Sequence, residues 1–257
     1  VELFLVLQLQ KEVNLLKWAG PPGTKPGTYR EWVEKHPYKD FKVKSTGYFV
    51  KNKAKGRNVA VLIDATLRDA LDKSISRFIT DLQKEGYNVF YYEIAGGTPD
   101  DLRILLKSLH YGEGIEGALL IGELPVAWFQ VENDFDTYGY KEWPVDLFYM
   151  DLDGEWIDSL RYSGGSLISG QDSIYDAHRG NLTPEIYIGR LLPTGIGDDT
   201  VLLKNYFKKD SAYKRTDIEL KHRALVYVDD DWYPWATLWA EDVSLLYDDI
   251  TLEYDSN

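Results

Sequence analysis

Asn58-Val59-Ala60-Val61-Leu62-Ile63 is a continuous apolar run of strand length, and the residues after it change period. From Leu67 to Glu85, Leu71, Ile75, Phe78, Ile79 and Leu82 recur at helical spacing, and the pattern stops at Gly86. Asn88-Val89-Phe90-Tyr91-Tyr92-Glu93-Ile94 reads as a second strand. Thr98-Pro99-Asp100-Asp101 then opens a helix: Thr98 is the N-cap, Pro99 sits in the first turn and the carboxylates lie near the positive end of the dipole. That helix carries Leu102, Leu105, Leu106 and Leu109 and leads to a third apolar strand, Gly117-Ala118-Leu119-Leu120-Ile121-Gly122. The order βαβαβ predicts an α/β fold with parallel strands, helices on both faces and right-handed crossovers.

Downstream the rhythm weakens. Glu123 to Gly180 is rich in aromatics, Gly and Asp, and reads as long loops with short strands such as Asp146-Leu147-Phe148-Tyr149-Met150. Glu185 to Leu191 is a strand and Asp198 to Lys214 a helix. Ala224 to Val228 is another strand, Ala236 to Asp248 a helix, and Ile250 to Tyr254 begins a last strand. Upstream, Val1 to Gln10 is apolar at odd positions, a strand-like period, and Ala19 to Thr28 is a Pro/Gly hinge. The expected organisation is an arm and hinge over residues 1–57, a first α/β subdomain over 58–194, and the start of a second over 195–257. The last strand is expected to leave that second part incomplete, with a sheet edge and apolar faces for a partner chain to cover.

Composition narrows the functions. With 29 Lys+Arg against 42 Asp+Glu and a formal charge of −13, the chain repels phosphate backbones, so no nucleic-acid partner is expected. No apolar run approaches the roughly 20 residues of a spanning helix, and no signal-peptide pattern opens the chain. The absence of cysteine excludes disulfides, thiolate metal sites and a cysteine nucleophile within these residues.

Several motifs fail on context. Gly112-Glu113-Gly114-Ile115-Glu116-Gly117 follows a helix and precedes a strand, the reverse of a dinucleotide fingerprint. Gly20-Pro21-Pro22-Gly23-Thr24 lacks the lysine of a phosphate loop, so no organic cofactor is expected. His36, His110, His178 and His222 show no metalloprotease spacing and read as structural or solvated.

Two acidic stretches carry chemistry. Asp151-Leu152-Asp153-Gly154-Glu155 spaces three carboxylates around a turn-forming Gly, a pattern suited to calcium, and Asp146 adds a fourth oxygen donor. The competing reading is an Asp-Gly turn with solvated acids. Asp229-Asp230-Asp231-Trp232 follows a strand at the carboxyl edge, where open α/β sheets place ligands. Its competing reading is an acidic helix start.

Gly117-Ala118-Leu119-Leu120-Ile121-Gly122-Glu123-Leu124-Pro125-Val126-Ala127-Trp128, Val145 to Gly154 and Pro184-Glu185-Ile186-Tyr187-Ile188-Gly189-Arg190-Leu191 together resemble the gingipain-like cysteine peptidases. The order and spacing agree from about Asn58 onward. The resemblance implies a caspase-like sandwich, a mostly parallel sheet with helices on both faces, and secretion or display at the cell surface. It implies peptide-bond cleavage by a His, typically in a His-Gly pair, and a Cys. No His-Gly pair and no Cys occur in this sequence, so the chain alone is expected to be inactive. It also places Asp231 near an acid that orients the catalytic His, and Asp229, Asp230, Asp231 and Trp232 toward a peptide substrate. Trp235 stands where an acid would read a basic residue, so Arg or Lys specificity does not carry over. A second reading, from another class, is a calcium-stabilised module binding protein or glycan on the same scaffold. A third is a glycosidase with paired carboxylates.

Overall fold

The computed structural model describes residues 23–25, 27–49, 57–133, 139–218, 220–228 and 230–254. The segment Val1 to Gln10 lies outside them. The chain divides into two compact units, Gly27–Asp217 and a second made of Val1–Pro26 with Ile218–Asn257.

In the larger unit, helix α1 (Tyr29–Lys35) starts at Thr28, whose side chain and that of Glu31 cap each other's backbone. Strand β1 (Lys42–Phe49), β2 (Arg57–Asp64), α2 (Arg68–Lys84), β3 (Tyr87–Ala95), α3 (Pro99–Glu113) and β4 (Ile115–Ile121) follow. β5 (Trp128–Glu132) and β6 (Tyr140–Pro144) form a hairpin before a single turn, α4 (Leu147–Met150). β7 (Glu155–Ile157), β8 (Leu160–Ser163), β9 (Ser166–Ser169) and β10 (Ala177–Arg179) are short. β7 pairs with β10, and β8 with β9. The unit ends with β11 (Tyr187–Leu191) and α5 (Asp199–Lys214).

The central sheet has the order β1-β3-β2-β4-β11. Every pairing is parallel except β1 with β3, so the sheet is mostly parallel with one antiparallel edge strand. Alternate residues of β2 feed two separate cores, because strand side chains alternate between faces. Val59, Val61 and Ile63 meet Leu71, Ile75 and Ile79 of α2 and Leu203 and Phe207 of α5. Ala60 and Leu62 meet Leu102, Leu106 and Leu109 of α3 on the other face, along with Phe148 and Tyr149. Each fully buried aliphatic or aromatic side chain here contributes about 1.5–3 kcal/mol.

The structure corrects the expected boundaries. α5 belongs to the larger unit, since Phe207 packs on Phe78 at 5.2 Å and Ser211 donates to Asp81 at 2.9 Å. The division therefore falls at Asp217/Ile218, not at 194/195, and β1 joins the sheet although it precedes residue 58. Asp146 to Met150 is a helical turn rather than a strand: the Tyr149 amide donates to the Asp146 carbonyl at 3.0 Å and the Asp151 amide to the Leu147 carbonyl at 2.9 Å.

In the smaller unit, β12 (Arg223–Val228) pairs in parallel with β13 (Asp249–Tyr254), joined through a 3-10 turn (Asp230–Trp235) and α6 (Ala236–Ser244). Leu225 and Tyr227, on one face of β12, are 65% and 66% exposed. Among the described residues, no helix is long and apolar enough to cross a membrane.

Candidate functional site

β2 is the first parallel strand, and its two neighbours are reached over opposite faces, so the strand order reverses between β2 and β4. Their carboxyl ends are where such sheets place ligands. A cleft of about 260 Å³ opens there, with Asp64, Thr66, His36 and Glu123 on its walls. His36 sits between the Trp32 carbonyl, 2.9 Å from its Nδ1, and Glu123, 3.3 Å from its Nε2.

Beside this edge lie the three stretches singled out in the sequence, and each bonds to the other two. Arg190 donates from Nε and Nη2 to the two oxygens of Asp146 at 2.9 and 2.8 Å, and from Nη1 and Nη2 to the Leu124 and Pro125 carbonyls at 3.3 and 3.2 Å. Tyr149 donates to the same Pro125 carbonyl at 2.7 Å. The Glu185 amide donates to the Met150 carbonyl at 3.0 Å, and the Glu185 carboxylate accepts from the Leu152 amide at 2.6 Å. Gly117 is the register partner of Tyr187, and a Cβ on Gly117 would collide with the Tyr187 ring.

The acidic turn Asp151–Gly154 is held from within and from α3. Asp151 is fully buried and accepts from the Gly154 amide at 2.9 Å, Trp156 Nε1 at 2.8 Å and His178 Nε2 at 2.7 Å. His178 reaches it because β10 places that residue directly opposite Trp156 of β7. Gly154 is required, since a Cβ there would strike both His178 and the Asp151 carboxylate. Burial alone would raise the Asp151 carboxyl; the Gly154, His178 and Trp156 donors outweigh it and hold the group below the usual carboxylate range. From below, Arg103 donates to the carbonyls of Phe148 at 2.9 Å, Asp151 at 2.6 Å and Gly154 at 2.9 Å, with its guanidinium 5.0 Å from the centre of the Phe148 ring.

Asp151, Asp153 and Glu185 each bring one carboxylate oxygen within 4.8 Å of the others, close enough to share a metal ion. The fit to a hard cation is partial. Calcium takes six to eight oxygens, more than these three carboxylates supply. Water would have to supply the remainder.

The expected ligand set is redistributed. Asp151 and Asp153 come together, but Asp146 does not join them, because Arg190 takes both its oxygens. Glu155 faces Arg179, its register partner on β10, 3.8 Å away and exposed. Glu185 takes their place; it lies over thirty residues further on, with no local spacing signal to mark it. His178, read as structural or solvated, has a structural role: its Nε2 hydrogen-bonds to the buried Asp151 carboxylate at 2.7 Å. In the other acidic stretch, Asp229 lies outside the described residues, Asp230 and Asp231 open the 3-10 turn, and Trp232 is exposed beside Trp235 and Trp239 at 5.7 and 6.3 Å.

Compared with family models, curated proteins and solved structures, the chain has no match.

Proposed function

We propose that this chain is the N-terminal α/β portion of a secreted gingipain-like cysteine endopeptidase, with the His and Cys that would cleave the peptide bond carried outside these 257 residues. The observation that supports the reading is the knot around Arg190, in which three stretches far apart in sequence bond pairwise at the carboxyl edge of a mostly parallel sheet. Such a unit makes the three stretches interdependent: removing any one strands polar groups of the other two. In this reading the sheet order β3-β2-β4-β11 is the first half of a caspase-like sandwich, and Asp231 is a positioning acid for a histidine elsewhere.

The test is the coding region and intact mass of the natural gene product, followed by peptidase assay of both forms. The expected result is a longer product with a His-Gly pair and a downstream Cys, which cleaves peptides and is blocked by thiol reagents. These 257 residues alone should be inert, because a thiolate nucleophile needs its base and its own sulfur. A product without Cys, or cleavage by the clean short chain, would overturn the proposal.

A second reading is a calcium-stabilised binding module, supported by the approach of Asp151, Asp153 and Glu185 within 4.8 Å. It gains if the natural product lacks the His and Cys and calcium raises the unfolding midpoint.

A further inference from the structure

A second cleft, of about 340 Å³, lies in the larger unit against the first turn of α3. Its walls include three aromatic rings, Tyr38, Trp156 and Tyr175, and two carboxylates, Asp100 and Asp158, with Gln171 beside them. Among the described residues, no Lys, Arg or His lines it. Two negative charges therefore face an aromatic cavity with no positive side chain among the described residues of its lining.

The walls are set before any ligand arrives. Trp156 is oriented by its Nε1 bond to Asp151, 2.8 Å, and by edge contacts with Phe148 and Tyr175 at 5.5 and 6.0 Å. Tyr175 stacks on Phe148 at 4.6 Å and donates to Asp100 Oδ1 at 3.0 Å. Asp158 accepts from the Asp172 and Ser173 amides at 3.2 and 2.9 Å, and its carbonyl accepts from Gln171 Nε2 at 3.1 Å. Rings and acids already ordered need lose little freedom on binding.

The two acids do have structural work. Asp100 complements the α3 dipole and receives Tyr175, while Asp158 shapes the loop before β8. Neither task neutralises their charge. Burial drives Tyr175 and Tyr38 far above the ordinary tyrosine range; at Tyr175 the Asp100 charge adds to this against a weaker opposing pull from Arg103, and at Tyr38 Asp100 adds after the Tyr29 hydroxyl.

An anion is repelled by this lining. A hydrated divalent metal wants a shell of oxygens that ring faces do not supply. An ammonium or guanidinium group matches both wall types, since its charge meets the carboxylates and the negative faces of the rings. We propose that this cleft binds a small organic cation through its ammonium or guanidinium group, held by Asp100 and Asp158 and covered by the rings of Trp156, Tyr175 and Tyr38. The site stands independently of the peptidase reading.

The test is calorimetric titration of the 257-residue chain with agmatine, putrescine and Nα-acetyl-arginine amide, and with butane-1,4-diol as the uncharged counterpart of putrescine. The expected result is one amine or guanidine per chain, weakened about tenfold or more by Asp100→Asn or Asp158→Asn, as for loss of a charged hydrogen-bond partner. Raising the salt should weaken it too, and the diol should not bind. Tyr38→Ala removes a ring that is 42% exposed, so folding should survive while affinity falls about threefold. Tighter binding of the blocked arginine than of agmatine would assign the cation to a peptide side chain; the reverse would assign it to free amines. Absence of saturable binding by all three cations, equal binding of the diol, or amine binding unchanged in both Asp variants and Tyr38→Ala would overturn the proposal.

Discussion

The sheet body and the loop layer on its carboxyl edge are held by different forces. Around β2, α2, α3 and α5 the contacts are apolar, and the polar exceptions are few, such as Asp81 with Ser211 and Asn88 with Asn58. Between Gly122 and Ile186, Leu124, Phe148, Tyr149 and Leu152 still join the apolar core, but directed bonds are dense: Arg190 to Asp146, Arg103 to three carbonyls, Asp151 to three donors, and the buried Gln130 to Leu160 and Asp172. Apolar contacts tolerate small shifts and make no demand on protonation. Directed bonds fix a geometry, and they fail when one partner is removed because the other is left buried.

The contrast can be broken at several points. The largest effect is expected in the body, where Leu62→Ala should cost about 2–5 kcal/mol in denaturant unfolding, independent of salt and pH. In the loop layer Arg190→Met should cost about 2–4 kcal/mol, because Arg190 is only 11% exposed while Asp146 keeps some water. Arg190→Lys should recover little, since an ammonium cannot copy the two-pronged contact. Unfolding of Arg190→Lys at the wild-type midpoint would show that charge alone holds the knot. Arg103→Met should cost about 1–3 kcal/mol by stranding carbonyls of the acidic turn, read most directly as faster amide exchange at Gly154 and Trp156.

Acid titration should sort the regions by sign. In Asp81 of the body burial raises the carboxyl, but bonds from Lys84 and Ser211 outweigh it and hold it low. Its contribution is therefore present above the carboxylate range and lost as pH falls through the folded value. In Asp172 of the loop layer burial, aided by the charge of Asp158, wins over the Ile174 amide and raises the carboxyl. Its penalty appears as pH rises through the unfolded value and is complete above the folded one. Asp81→Asn should thus flatten the acid limb of the stability curve, and Asp172→Asn should stabilise at neutral pH but not in acid. A shared sign for both variants would reject this assignment. The smallest effect is calcium, expected to add about 1 kcal/mol or less, a midpoint rise of roughly 2–4 °C reversed by chelator. A rise far beyond that would mean the ion displaces Arg103 from the turn carbonyls.

The body was legible because its signal is local. The runs at Asn58, Asn88 and Gly117 and the heptad-like spacing from Leu71 to Leu82 each report burial through residues a few positions apart. β1 escaped notice because its mixed sequence, Lys42-Val43-Lys44-Ser45-Thr46-Gly47-Tyr48-Phe49, lies at a sheet edge where little is buried. In the candidate site, Asp151 and Asp153 stand out by spacing, whereas Glu185 and His178 arrive through strand pairing that no short window contains. Asp146 misled because a carboxylate looks the same in sequence whether a cation or an arginine will neutralise it.

By itself the sequence determined the period of β2, α2, β3, α3 and β4, the acidic charge and the lack of a thiol, since these follow from residue identity and nearest neighbours. The tertiary structure alone decided which charges meet. Arg190 with Asp146, Arg103 under the acidic turn and Tyr175 with Asp100 depend on groups 44 to 75 residues apart. Coulombic and hydrogen-bond energies are set by distances in ångströms, and only the folded chain fixes those.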